Sequence, residues 1–327
     1  MIFSLAVARH FAAGALMAFA ASVAAQQAYP NRPIRMILGF PPGGSDDYMA
    51  RIIAPKLAER FGQPVIVDNR PGAATNVAAA VAARANPDGY TLMFSPTTAL
   101  ATSRSLYAKL GYDLLKDFAF VSQVASGAYV LLAHPSLPAK SLQDFVALAR
   151  SKPKAINYAS AGVGSLGQLA IELLQKRAGI EVLQVHYKGA GPAVLALTAG
   201  EVQIAFSVVA AAMPMVNAKR LNALAVTSAM RLKVLPDVPT VAELGYPGFS
   251  VTNTFGLIAP AGTPAAVVEV LNAEVQKILQ MDDVKAKFAA QALEAIGSTP
   301  AAFKAIIEAE TAQWTRVIKD ANIKVEQ

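Results

Sequence analysis

The chain has 327 residues, 54% of them hydrophobic, and a formal charge of +7 from 29 Lys plus Arg against 22 Asp plus Glu. That length supplies about two domains, each with a full core. There is no Cys, which excludes disulfides, thiol catalysis and Cys-ligated metals, and the positive excess forms no basic run, so small anions are better partners than nucleic acid.

At the N-terminus Arg9 and His10 precede an apolar stretch over residues 11–21, then Ser22-Val23-Ala24-Ala25-Gln26. A basic start, a short hydrophobic run and small residues read as a secretory signal peptide, residues 1–25, cut after Ala25. The apolar run is short for an uncut anchor, and no Cys follows it to carry a lipid. The mature protein is therefore expected to be secreted and soluble. Only His134 and His186 remain beyond the leader, far apart, so neither a metal site nor a cofactor is expected.

Residues 33–38, with Ile34, Met36, Ile37 and Leu38, read as a short buried strand, and Tyr48, Met49, Ile52, Ile53, Leu57 and Phe61 recur at the helical period. Between them stands Gly39-Phe40-Pro41-Pro42-Gly43-Gly44-Ser45. Ser45 is the expected N-cap, and Asp46 and Asp47 suit the positive end of the helix. A glycine-rich turn from strand to helix presents N–H groups where the dipole is positive, so it can hold an anion. It has neither a P-loop Lys nor GxGxxG, which points to a carboxylate rather than a nucleotide. The plain alternative is a tight connection. Pro55 should kink the helix.

Strands and helices then alternate, which argues for α/β layers. Residues 64–67 form a second strand running into Asp68-Asn69-Arg70-Pro71-Gly72-Ala73, followed by a helix over 76–85. Residues 90–94 form a third strand, and Ser95-Pro96-Thr97-Thr98 reads as a polar loop. Three loops thus converge at strand ends, where open α/β sheets bind ligands. Residues 121–124 and 129–133 read as two strands, and Ser141 as the cap of an amphipathic helix. Strand 156–160 leads into Ala161-Gly162-Val163-Gly164-Ser165 and an apolar helix, repeating strand, glycine loop, Ser cap and helix. Two helix N-termini, one per lobe, could hold one anion between them. Strand 182–186 precedes Tyr187, and helix 192–199 is closed by Gly200. Strands 202–206 and 221–226 follow, the first ending in Ser207. A return strand at 255–259 leads to two final helices, opened by Thr263-Pro264 and Thr299-Pro300, the second carrying Trp314 in its core stripe.

Taken together, several of these motifs carry a resemblance: Pro33-Ile34-Arg35, Phe40-Pro41-Pro42-Gly43-Gly44-Ser45, Asn69-Arg70-Pro71-Gly72-Ala73, Pro87-Asp88-Gly89-Tyr90-Thr91-Leu92, Asn157-Tyr158-Ala159-Ser160, Tyr187-Lys188-Gly189, Leu235-Pro236-Asp237-Val238-Pro239-Thr240 and Gly256-Leu257-Ile258-Ala259-Pro260. In this order the chain resembles the periplasmic solute-binding receptors of the tripartite tricarboxylate transporter family, the Bug or TctC-like proteins. The resemblance implies an α/β, two-lobed Venus flytrap, each lobe a mixed sheet flanked by helices, with residues 26–126 and 252–327 in lobe one and 127–251 in lobe two. It implies a monomer that closes on a small organic carboxylate and passes it to a two-subunit membrane permease. Ligand contacts would come from Phe40, Pro41, Pro42, Gly43, Gly44 and Ser45, from Ala161, Gly162, Gly164 and Ser165, and from Thr97, Thr98 and Tyr187. Many relatives carry Asp where this chain has Ser207, so a ligand without an amine is expected. Two alternatives stand beside this. One is a sensor that presents its bound state to a membrane histidine kinase. The other is a secreted hydrolase or transferase, disfavoured because there is no G-x-S-x-G elbow and neither His has a recognisable partner.

Overall fold

The computed structural model describes residues 29–323 apart from 108 and 188. The signal-peptide reading and Lys188 lie outside the described residues. The strands are β1 (Ile34–Leu38), β2 (Val65–Asn69), β3 (Thr91–Pro96), β4 (Phe118–Ala133), β5 (Asn157–Ser160), β6 (Leu183–His186), β7 (Ile204–Val208), β8 (Asn222–Val226), β9 (Thr252–Pro260) and β10 (Leu293–Ala295). The helices are α1 (Ser45–Phe61), α2 (Asn76–Ala83), α3 (Thr97–Leu106), α4 (Leu142–Ser151), α5 (Leu166–Ala178), α6 (Ala190–Ala199), α7 (Val209–Asn217), α8 (Ala265–Leu279), α9 (Asp282–Ala289) and α10 (Pro300–Asp320).

The strands form one mixed sheet in the order β2-β1-β3-β9-β4-β7-β5-β6, with β8 and β10 also pairing with β4. β1, β2 and β3 are mutually parallel, as are β5, β6 and β7. Ile34, Met36, Ile37 and Leu38 are all buried, the run of apolar residues that a strand covered on both faces requires. α1 turns Met49, Ala50, Ile53, Ala54 and Leu57 inward, and Pro55 is carried inside it without breaking it. Ser141, Ser165 and Thr299 cap α4, α5 and α10 through their side chains, and Gly200 closes α6 in the left-handed conformation.

β4 joins the two groups of strands. Its first part pairs with β9, from Phe118 opposite Pro260 to Ala128 opposite Thr252; its last part pairs with β7 and β8. The register fixes which strand ends face each other. At the end of β3, Pro96 lies opposite Phe255, and Phe255 lies opposite Ala125 of β4. At the end of β7, Val208 lies opposite Tyr129 of β4. β3 runs parallel to β4 and β7 antiparallel to it, so their carboxyl ends point at each other across residues 125–129. At the usual rise of a strand this is a gap of roughly 13 Å.

Four expectations change. Residues 121–124 and 129–133 belong to one 16-residue strand. Register shifts near Phe120/Ser122 and Gln123/Ala125 break the alternation that would have marked it as continuous. Ser95-Pro96-Thr97-Thr98 is not a loop: β3 runs through Pro96 and α3 begins at Thr97. Ser45 does not cap α1; Gly44 occupies the cap position and the Asp47 carboxylate accepts from the Gly43 N–H at 3.0 Å. Thr263 likewise gives its hydroxyl to Pro260 O at 2.7 Å, and α8 starts behind Pro264 without a side-chain cap. α7 and α9 were not foreseen.

α10 spans much of the molecule. Phe303, Ile307, Trp314, Val317 and Ile318 line its buried face. Near its start Phe303 faces Gly256 of β9, and near its end Asp320 pairs with Lys176 of α5. A Cβ on Gly256 would lie 2.0 Å from Phe303 Cζ, and the ring is fully buried with nowhere to swing. Gly256→Ala is therefore expected to destabilise by about 1–3 kcal/mol, read as a lower urea midpoint with an unchanged m-value.

Candidate ligand cleft

Two glycine loops follow strands on the two sides of the gap spanned by β4. In the first, after β1, Gly43 takes φ +94°, a conformation side chains resist. Asn69, the last residue of β2, ties this loop down: its Nδ2 donates to Phe40 O at 3.0 Å and to Asp47 Oδ1 at 3.1 Å. Asp47 also accepts from Arg51 Nε at 2.9 Å, and this bond holds its carboxyl below the usual carboxylate range. Pro41 to Ser45 are exposed and Phe40 is half-buried.

In the second loop, after β5, Gly162 and Gly164 take φ +130° and +74°. Ser165 Oγ accepts from Gln168 N at 3.4 Å, and Gln168 Oε1 reaches back to Gly164 N at 2.8 Å. The same device recurs in both loops, since Asp47 and Gln168 each close on the amide four residues earlier. Behind it a polar chain runs from Gln168 Nε2 to Gln184 (3.1 Å), from Gln184 to Ser160 Oγ (3.0 Å) and on to His186 Nδ1 (3.0 Å). This loop packs against the end of α3: a Cβ on Gly164 would lie 2.4 Å from Leu106 Cδ1.

Buried polar atoms without partners mark this region. Among the described residues they are Asp46 Oδ2, Thr75 Oγ1, Asn76 Nδ2, Ser207 Oγ and Trp314 Nε1. Four of these five belong to segments following β1 or β2, or to the end of β7. Asp46 is 3% exposed and Ser207 4%. Thr75 holds φ +78°, strained for a β-branched residue, and presses on the first loop: a Cβ on Gly39 would lie 2.5 Å from Thr75 Cβ. Asn76 uses only its oxygen, accepting from Tyr112 at 2.7 Å. Such atoms are few in a native interior, and each calls for an explanation in strain, water or a ligand.

The residues expected from the sequence divide into two sets. The loop residues Phe40, Pro41, Pro42, Gly43, Gly44 and Ser45 and the loop residues Ala161, Gly162, Gly164 and Ser165 stand at opposed strand ends, with Ser207 at the end of β7. Thr97, Thr98 and Tyr187 direct their side chains elsewhere. Thr97 Oγ1 donates to Thr254 O at 3.1 Å; Thr98 Oγ1 accepts from Thr254 N at 3.0 Å and donates to Glu310 at 3.2 Å. What they can offer a ligand is the N-terminal amides of α3. Tyr187 donates to Glu201 at 3.3 Å and lines a surface hollow of about 500 Å³ with Pro192, Leu195 and Arg220; its carbonyl, not its ring, borders Gly162. Thr75 and Asn76 were not singled out from the sequence, and Asp46 was read only as a first-turn acid. A first-turn acid is the ordinary signature of a helix start, and no residue code announces a left-handed Thr.

Two lobes whose strand ends oppose each other around amide-lined loops define the solute-binding proteins that close on a ligand. The chain belongs to the tripartite tricarboxylate transporter family receptors, whose family model matches residues 49–323. It is 38% identical to Protein BugT of Bordetella pertussis over 298 residues, 91% of each chain, and 37% identical to the UPF0065 protein of the tcbD-tcbE intergenic region of Pseudomonas sp. strain P51, over 92% of this chain and 89% of that one. Among solved structures, Rpa4515 of R. palustris with adipate gives a TM-score of 0.77 at 35% identity, covering 91% of this chain and all of that one. MatC of Rhodopseudomonas palustris with bound malate gives 0.73 at 32% identity, covering 89% and 100%. Family members are periplasmic solute-binding receptors, and among the described residues no helix is long and apolar enough to cross a membrane.

Glu310 deserves a separate account, because it joins α10 to both Thr98 and Thr254. The residue keeps some exposure, but its carboxylate is enclosed, and burial pushes its pKa up to about 7 against two threonine hydrogen bonds that pull it down. A carboxyl raised on folding binds more protons folded than unfolded, so its contribution is present below the unfolded value and lost as pH rises through about 7. Stability is expected to fall between about pH 4.5 and 7 by up to about 3 kcal/mol from this group. Glu310→Gln should flatten that slope in urea titrations across the range.

Proposed function

We propose that this protein is a periplasmic receptor that closes on a small organic carboxylate and delivers it to the two-subunit permease of a tripartite tricarboxylate-type transporter. Residues 26–126 and 252–327 would form lobe one and 127–251 lobe two. The observation that carries the reading is the set of buried polar atoms without partners at facing strand ends, Ser207 Oγ above all. Adipate and malate in the related structures support the ligand class.

The mechanism is physical binding. Amides of the first loop, of the Gly162 to Ser165 loop and of the start of α3 replace the ligand's water shell, and Ser207 adds a hydroxyl. The half-buried Phe40 ring and the two exposed prolines offer the ligand's carbon chain an apolar wall. A ligand that touches both lobes only in the shut form shifts the population toward closure by its differential contact energy. The binding role needs no bond-making group.

The mature chain, residues 26–327, should show a higher melting temperature with at least one C3–C6 mono- or dicarboxylate. Saturation a hundredfold above Kd corresponds to about 2.7 kcal/mol. Ser207→Ala should weaken that ligand about five- to tenfold by calorimetry, the net worth of about 1 kcal/mol for one hydrogen bond. Deleting the gene should abolish uptake of the same acid in a strain carrying the permease pair. Failure of every acid to bind, or chemical turnover of one, would sink the reading.

A further inference from the structure

Glu310 stands at a joint of three elements. Its carboxylate accepts from Thr98 Oγ1 at the start of α3, at 3.2 Å, and from Thr254 Oγ1 near the start of β9. The joint closes on itself, since Thr98 Oγ1 also accepts from Thr254 N at 3.0 Å and Thr97 Oγ1 donates to Thr254 O at 3.1 Å. Further along α10, Thr315 Oγ1 accepts from Ser105 Oγ at 3.0 Å, so α3 is fastened to α10 near both of its ends. The joint also lies where the sheet crosses over. Thr254 is opposite Ser126, within the β4 segment that spans the gap, and Thr98 directly follows the carboxyl end of β3 and Thr97. Among the described residues no cation compensates the carboxylate. Its neighbours one turn away on α10 are Ile306, Ile307, Gln313 and Trp314, and β4 and β9 carry no titratable side chain. The other elements packed on α10 spend their charges elsewhere. Arg104 of α3, Arg177 of α5 and Glu269 of α8 are exposed; Lys176 and Glu172 of α5 are taken by Asp320 and Tyr158; Glu274 and Lys277 of α8 pair with each other. Burial therefore holds the Glu310 pKa up at about 7, which divides the group between acid and anion at neutral pH.

We propose that Glu310 is a positioning residue that links ligand binding to proton uptake: as a neutral acid it fastens the first turn of α3 and the start of β9 to α10, and as an anion it loosens that joint and opposes a second carboxylate at the start of α3. This rests on the receptor reading above and adds regulation to it. Two effects act with the same sign. A neutral carboxyl both donates and accepts, and two threonine hydroxyls can answer either role, whereas the anion has only these two donors and no cation. A ligand carboxylate drawn to the α3 amides also raises the cost of the anion one side chain behind them, so the bound form holds the proton more firmly than the free form. A group of this kind makes the ligand bind tighter as pH falls and takes up protons on binding. Glu310 touches no ligand itself; it acts through Thr98 and Thr254.

Calorimetry of the mature chain with malate, succinate and adipate at pH 6.5, 7.5 and 8.5, in buffers of low and high ionisation enthalpy, tests the proposal. An acid that binds should do so about threefold or more tighter at pH 6.5 than at pH 8.5, with net proton uptake at pH 7.5. Glu310→Gln, the isostere of the neutral acid, should keep the pH 6.5 affinity across the range and take up no proton; circular dichroism confirms its fold. Without any ligand, hydrogen exchange at the Thr254 amide reads the joint directly. Corrected for base catalysis, its protection should fall about threefold or more from pH 6.5 to 8.5 in the unaltered protein and stay level in Glu310→Gln. A Kd that ignores pH, proton uptake that survives Glu310→Gln, or Thr254 protection that does not change with pH would overturn the Glu310 assignment while leaving the receptor intact. Absence of binding by every acid would overturn both.

Discussion

The pairing of β4 with β9 governs the architecture. Hydrogen bonds between these strands run from Phe118 opposite Pro260 to Ala128 opposite Thr252, after which β4 exchanges β9 for β7 and β8. Because one continuous strand serves both lobes, the register on each side is locked to the other. A one-residue slip on either side would turn every β4 side chain to the wrong face. The same lock sets the ends of β3 and β7 facing each other, and every loop at those ends inherits its position from it. The cleft follows from hydrogen-bond register before any side chain of the loops is considered.

Within that frame the two glycine loops are built alike but charged differently. Asp47 and Gln168 each seal the amide four residues earlier, which rigidifies the turn and leaves the helix-end amides as the open donors. The helix dipole alone would make both ends attract an anion. The first turn of α1 holds Asp46 and Asp47, the latter paired with Arg51, whereas the first turn of α5 holds no acid. Ser207, neutral and buried, sits at the end of β7.

How far the sequence could be read depended on whether local chemistry or distant packing decided each element. β1 and the turn after it were legible because Ile34, Met36, Ile37 and Leu38 form a buried run and Pro-Pro-Gly-Gly punctuates it. The Ser165 and Ser141 caps were legible because capping involves residues three apart. Ser95-Pro96-Thr97-Thr98 was misread as a loop because its composition is that of a turn, while the groups that set its structure, Thr254 and Glu310, lie 156 and 212 residues away. β4 was split in two because its bulges interrupt the alternation of inward and outward residues. Asp46 and Asp47 look the same in the sequence; only packing shows that one has three partners and the other has an empty oxygen. Thr75 is invisible for a different reason, since its left-handed backbone is imposed by the neighbouring loop at Gly39 rather than by its own residue type.

α10 adds a mechanical consequence. It begins beside Gly256 of β9, gives Glu310 to Thr98 and Thr254, and ends with Asp320 paired to Lys176 and Val317 near Leu173 of α5. A single rigid rod thus braces the back of a structure whose spine is β4. Separating α5 from the far end of that rod would break the Lys176–Asp320 pair and uncover Val317 and Leu173.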